Sequence, residues 1–177
     1  MKRLQRAAVL TELVEQLREQ QSWCGETHLQ KASYVLQELS GVDLGYEFVL
    51  YKHGPFSFDL REELGDFVTD GIIQYEPQQP PYGPRIAVTP EAERVRDLYP
   101  KTLAGVTDNI RYVAEKIDGR GVVELERLAT ALYVTNETPG TVAKRARRLR
   151  QLKPHVPEPA SVKAVEEIDE IIQALPA

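Results

Sequence analysis

The sequence predicts a mostly helical α+β fold: a small three-stranded antiparallel sheet in the N-terminal half, then an all-helical extension. Three observations predict it. Apolar residues recur at steps of three and four along most of the chain, the pattern of helices with one buried face. Short β-forming runs break that pattern only at 47–52, 72–76 and 85–88. Gly54-Pro55 and the proline-rich stretch 77–84 stand between those runs as turn and loop. The resulting order is helix, helix, strand, helix, strand, strand, then several helices. Residues 1–98 are read as a winged-helix-like module and 99–177 as a helical extension packed on it.

Taken in order, Leu4, Ala7, Ala8, Leu10, Val14 and Leu17 predict an amphipathic helix over 3–19. Thr27 and Gln30 have the spacing of a capping box, so a second helix is expected from Thr27, with Leu29, Ala32, Leu36 and Leu39 inside and Gly41 as its stop. Glu47–Lys52 is the first strand, ended by Gly54-Pro55. Ser57 caps a helix whose apolar contacts are Phe58, Leu60, Leu64, Phe67 and Val68, and Gly71 ends it. Two strands follow across the loop. Thr89-Pro90-Glu91 starts a helix with a cap, a proline at the first position and an acid at the positive end. Leu103, Val106, Ile110, Val113 and Ile117 predict one unbroken helix before Gly119-Arg120-Gly121. Val122, Leu125, Leu128, Ala129 and Leu132 mark the next. Thr138-Pro139 is expected to open a basic helix over 139–153, with Val142, Ala146, Leu149 and Leu152 inside. A last helix is expected to bury Val162, Val165, Ile168, Ile172 and Leu175.

Composition narrows the function classes. Of 177 residues, 42% are hydrophobic and 28% charged, as in ordinary globular domains. No apolar run approaches the ~20 residues that span a bilayer, so no membrane partner is expected. A single cysteine, Cys24, permits no internal disulfide and fits a reducing cytoplasm. The net charge of −5 argues against a chain-wide nucleic-acid footprint. The charge is uneven, with 10 Lys/Arg against 16 Asp/Glu in residues 1–98 and 12 against 11 in 99–177.

Two charged segments are the candidate sites. The helix before the hairpin, where a winged helix would read bases, carries Asp59, Glu62, Glu63, Asp66 and Asp70 against Arg61 alone. Phosphate binding depends on Lys/Arg, so this face suits a protein partner better than DNA. Asp59, Glu62, Glu63 and Asp66, with Lys52 and His53 at the turn, are the expected protein-partner surface. A solvated helix face is the plainer alternative. The segment Lys144–Lys153 holds Lys144, Arg145, Arg147, Arg148, Arg150 and Lys153 with no acid, and any nucleic-acid or acidic partner would meet it there. Cys24 and His28 are spaced like two metal ligands, but a zinc site needs three or four. Cys24 with His28 or His53 as base is the one nucleophile arrangement available, and a buried apolar role is the commoner one. His53 is expected to bond backbone at its turn. Gly-rich phosphate loops, nucleophile elbows and metalloprotease motifs are missing from the sequence, so neither metal nor cofactor is expected.

The segments LQKASYVLQEL (29–39), YEFVLYKHGPFSFDLREEL (46–64) and DGII (70–73) resemble the YwgA-like family of prokaryotic proteins and the wider Panacea, or SocA-like, antitoxin domain. Leu29, Gln30, Lys31 and Tyr34 match the helix of that pattern. Tyr51, Lys52, Gly54 and Pro55 match its turn, with His53 where tyrosine is usual. The resemblance covers roughly residues 1–98; the tail, including Leu125–Thr130 and Leu152–His155, is closer to the YwgA-like pattern. It implies a non-enzymatic cytosolic interaction module, such as an antitoxin or a phage-defence accessory, acting on a protein partner by direct contact. A DNA-binding regulator using the basic helix is the alternative.

Overall fold

The computed structural model describes residues 1–175, a mostly helical α+β chain with two small antiparallel sheets. Helix α1 (Arg3–Glu19) lies at the centre. It buries Val9, Thr11 and Leu13 as well as the expected Ala7, Ala8, Leu10, Val14 and Leu17, while Leu4 is left exposed. The expected one-sided helix is therefore enclosed along its middle turns, as befits an element packed from several sides. Each buried leucine contributes about 1.5–3 kcal/mol of transfer free energy.

Helix α2 (Glu26–Ser40) starts one residue before the expected Thr27, with Gly25 as its N-cap and no side-chain cap. The capping box does not form because the Gln30 amide is used elsewhere, on Ser57. Gly41 ends the helix in the left-handed conformation at φ +66°, as expected of a glycine stop.

The three predicted strands do not join into one sheet. Strand β1 (Val49–Tyr51) folds back on a strand the sequence reading missed, β2 (Gly54–Phe56), with Leu50 opposite Pro55. Proline has no N–H and reads as a strand terminator, yet it is tolerated on an edge strand. Here the Pro55 carbonyl is taken by the ammonium of Lys31 at 3.0 Å. Helix α3 (Phe58–Thr69) follows, capped by Ser57, whose hydroxyl accepts from Leu60 N at 3.2 Å. Leu60, Leu64 and Phe67 are buried as expected, but Phe58 and Val68 are exposed, and Glu63 takes an inside position. Strands β3 (Ile73–Glu76) and β4 (Arg85–Val88) form a separate hairpin with Tyr75 opposite Ile86.

Helix α4 (Pro90–Leu98) has the expected Thr89 cap and N-terminal proline. The predicted unbroken helix is two: α5 (Pro100–Ala104) and α6 (Thr107–Ile117), separated at Gly105-Val106. Apolar spacing survives the break because a turn, Val106 N to Leu103 O at 2.9 Å, keeps both residues on one side. Helix α7 (Val122–Glu137) precedes α8 (Val142–Leu152), which is capped by Thr141 and not started by Thr138-Pro139. Helix α9 (Glu158–Gln173) buries Ser161, Ala164, Val165, Ile168 and Ile171; Ile172 lies on the exposed side. One apolar core runs through both halves, from Leu10, Leu29 and Phe67 to Val113, Leu128 and Val165. Helix α6 is tied to α9 by the Tyr112 hydroxyl, which donates to Ile171 O at 2.6 Å.

Candidate interaction surface

Three side chains hold the turn between β1 and β2 and the residues just after it. From α2, the Gln30 amide makes a two-way bond with the backbone of Ser57, donating to its carbonyl and accepting from its N–H, both at 2.9 Å. Also from α2, Lys31 reaches the Pro55 carbonyl. From the end of α8, Lys153 donates to the carbonyls of Tyr51 at 3.0 Å and Lys52 at 2.5 Å. The Lys153 ammonium also sits 2.9 Å from the Glu126 carboxylate of α7. Lys31, Lys153 and Glu126 are all nearly fully buried. His53 and His155 stand at the mouth of this cluster, both exposed, with ring nitrogens 3.4 and 3.9 Å from Glu126. The partner of His53 is thus a carboxylate and not the backbone expected at its turn.

The residues that carried the family resemblance are largely this joint. Gly54 shows why: its φ is +86°, and a β-carbon there would lie 3.2 Å from Thr130 Oγ1 and 3.4 Å from Glu126 O. The turn therefore packs directly on α7. Gly54→Ala is expected to cost about 2–4 kcal/mol, from the left-handed backbone and from separation of the hairpin from α7. The control is Gly65→Ala in α3, where a β-carbon meets open space; it should stabilise by about 0.4–1 kcal/mol. Thermal unfolding of the pair checks both, and equal melting points would refute the close approach.

Fixing the turn fixes three rings. Tyr51, Phe56 and Phe58 form a mutual cluster, with centroids 5.1 to 5.8 Å apart. Tyr51 is 48% and Phe58 54% exposed. Beside them a small cleft of about 120 Å³ has Lys31 among its lining residues and Tyr51, Phe56, His53 and Arg61 around it. Pairs of edge-to-face rings are normally found inside a protein, where each adds about 0.5–1.5 kcal/mol beyond its burial. Spacing alone does not show this patch, because Phe58 reads as a core contact of α3. The available signal was density: three of the chain's twelve Tyr and Phe fall within 51–58.

The acidic residues of α3 split into two groups. Asp59, Glu62 and Asp66 are exposed and have no ion-pair partner among the described residues. Glu63 is buried: both its oxygens are held by the Arg6 guanidinium, at 2.6 and 2.8 Å, and it accepts from the Tyr46 hydroxyl. Burial and then Glu63 push the Tyr46 phenol well above its ordinary range. Glu63 is therefore a structural anchor between α1 and α3 and is not available to a partner. Asp70 pairs with Arg3. A shallow cleft of about 270 Å³ runs between Gly45-Tyr46 and the free carboxylates. Lys52 and His53 are exposed at the other end of the region.

The six cations of the basic segment also divide. Arg145 is buried and forms a bidentate pair with Asp169 of α9, both contacts at 2.6 Å; that bond draws the Asp169 carboxyl below its ordinary range. Lys153 is buried at the hairpin. Arg150 is exposed but pairs with Glu158 at 2.7 Å. Lys144, Arg147 and Arg148 remain at the surface, Lys144 with its ammonium on the Pro139 carbonyl at 3.1 Å. Two of the six expected contact residues are thus interior struts, since an arginine at a helix–helix seam is more valuable paired than solvated.

Cys24 is fully buried, its thiol directed at the Val14 carbonyl 3.9 Å away. Burial pushes it up to about 11, the opposite of an activated nucleophile. His28 Nε2 faces the Arg120 carbonyl at 3.3 Å, and burial lowers its pKa. No group of three or more potential metal ligands occurs among the described residues. No helix among them is long and apolar enough to cross a membrane. Compared with family models and with curated proteins, the chain matches none.

Proposed function

We propose that this chain is a protein-interaction module that docks a basic partner on the β1–β2 turn and the outer face of α3. The observation that carries the reading is the ring cluster Tyr51–Phe56–Phe58, with Tyr51 and Phe58 exposed, beside a turn held by the buried Lys31 and the buried Lys153–Glu126 pair. Interface hot spots are typically rigid aromatic anchors with a polar surround. Holding the rings in place before binding lowers the ordering cost of association. Asp59, Glu62 and Asp66, without an ion-pair partner among the described residues, supply a negative rim that would steer a positively charged partner. On this reading α3 and the β3–β4 hairpin make a winged-helix-like unit whose exposed helix meets protein in place of bases. The resemblance to Panacea-type domains suggests a toxin or defence-system component as the partner, acting through contact and not chemistry.

The test is affinity capture from the source cell at about 0.15 M salt, with the retained protein then titrated against variants. Tyr51→Ala with Phe58→Ala is expected to weaken binding at least about 100-fold, equivalent to the ~2 kcal/mol or more of a hot spot, while the chain stays folded with only the modest drop in melting temperature that loss of the ring pairs brings. Asp59→Asn with Glu62→Gln and Asp66→Asn should mainly slow association. Undiminished binding by the ring variant would end this reading.

The alternative, a nucleic-acid contact through α8, has three surface cations left to support it. Three phosphate contacts give a salt slope near −3, a weak footprint. A gel shift with Arg147→Glu and Arg148→Glu is the fair test, since neither residue holds the fold. Reversal at Arg145 would disrupt the seam with α9 and could not be interpreted.

A further inference from the structure

A groove of about 540 Å³ lies on a different part of the molecule, between the loop after α1, the β3–β4 loop and the start of α7. Its walls include Trp23, His28, Tyr82, Arg85, Arg120 and Val122, and none of its lining residues is acidic. That volume is in the range of small-molecule sites, roughly 300–1,000 Å³. The rings of Trp23 and Tyr82 stand 4.9 Å apart at a 39° tilt, and Tyr82 is 64% exposed.

Arg85 gives the groove its charge. Its guanidinium lies 5.6 Å from the Trp23 ring centre and is fixed by donating to the carbonyls of Trp23 at 3.0 Å and Ser22 at 3.3 Å. The carboxylate opposite it across the hairpin, Glu76, is engaged by Arg18 at 3.0 Å, and Arg85 has no acidic partner among the described residues. Arg120, by contrast, is neutralised by Glu167 at 2.6 Å. An immobilised, part-buried guanidinium without a carboxylate is suited to an anion.

The backbone keeps Trp23 in this position. Gln21 and Cys24, on either side of it, have φ of +59° and +50°, which side-chain-bearing residues rarely adopt. Gly25 leaves room for the indole, since a β-carbon there would come within 3.1 Å of it. Such strain persists only where the surroundings enforce it.

We propose that this groove binds a planar organic anion, its ring against Trp23 and Tyr82 and its acid group on Arg85. The site is independent of the partner surface on α3. Trp23 is the only tryptophan in the chain, so its emission reports the groove alone. The probe is 1-anilinonaphthalene-8-sulfonate, compared with N-phenyl-1-naphthylamine, the same ring system without the sulfonate. The expected result is saturable, equimolar energy transfer from Trp23 to the anionic dye, with the neutral dye bound about tenfold or more weakly, a factor worth about 1.4 kcal/mol. Arg85→Met should abolish that preference, Tyr82→Ala should weaken both dyes, and Phe58→Ala should change neither. Because Arg85 also braces the loop, Tyr82→Ala and the comparison of dyes on the unaltered chain decide the matter if Arg85→Met unfolds. Absence of saturation, equal binding of the two dyes, or binding unaffected by Tyr82→Ala would overturn the proposal.

Discussion

Glu126→Ala is expected to destabilise the chain by about 3–5 kcal/mol at neutral pH, the cost of leaving a buried charge without its partner. The Glu126 carboxylate pairs with the buried Lys153 ammonium at 2.9 Å and acts electrostatically on that of Lys31, with two histidines at the mouth. Removing it leaves like charges facing each other across a poorly solvated gap. Lys153 would then move toward water and release the carbonyls of Tyr51 and Lys52. Glu126→Gln keeps the shape and removes the charge, so it should recover little. Replacing the pair together, Glu126→Leu with Lys153→Met, should be milder than either single change. Burial alone would raise the Glu126 carboxyl, but Lys153 and His53 outweigh it and bring it below its ordinary 4.5. A depressed acid contributes stability that is complete above the unfolded pKa and disappears as pH falls through the folded one. The gap between the parent chain and Glu126→Gln should therefore be full at pH 7, below the range in which Lys31 releases its proton, and close as pH falls below 4.5. Urea unfolding across that range measures it; a gap under 1 kcal/mol at pH 7 would mean that the cluster is solvated and the turn held by other means.

That cluster also marks the limit of what the sequence makes legible. Helices were readable wherever spacing and caps agreed, as at Ser57, Thr89 and Gly41, because those signals act within a few residues of their own position. The hairpin β1–β2 was not, because its strand depends on a lysine 24 residues earlier to satisfy the carbonyl of Pro55. Gln30 misled for the same reason: its spacing from Thr27 suggested a local cap, whereas its partner is Ser57. Charge was readable as composition and not as location. Glu63 and Asp66 are alike in sequence, but one faces Arg6 inside and the other faces water. Arg145 and Arg147 differ in the same way, because only the former points at Asp169 on a helix still to come. Among the candidate-site residues, those misjudged were the ones with distant partners.

Lys31→Met is expected to cost about 1–3 kcal/mol at pH 7, the penalty for a buried carbonyl left without a donor, and to cost more as pH rises. Methionine preserves the apolar stem and fills the space, so the loss isolates the ammonium. Burial lowers the Lys31 ammonium from its ordinary 10.5 to about 8, with Glu126 raising it and Lys153 lowering it further. Below pH 8 the folded and unfolded chains both carry the proton, and the folded state bears the full expense of a buried charge. Between pH 8 and 10.5 the unfolded chain keeps the proton while the folded chain has released it. Stability then rises with pH, since the unfolded state binds more protons. The neutral amine can still donate to Pro55, so the turn is not lost in the process. Tyr34 and Tyr46, both pushed up by burial, act in the opposite direction above pH 10. They are common to both proteins and cancel in the difference. The stability gap between the parent and Lys31→Met should thus widen from pH 7.5 to pH 10, and a flat gap would show that Lys31 titrates as in water. The same variant separates frame from surface. If Lys31 only holds the turn, Lys31→Met should weaken partner binding no more than the displaced Tyr51 ring accounts for, and that loss should grow with the loss of stability. Tyr51→Ala with Phe58→Ala should weaken binding far beyond what its small loss of stability accounts for, which places recognition on the rings and the buried lysine beneath them in the role of support.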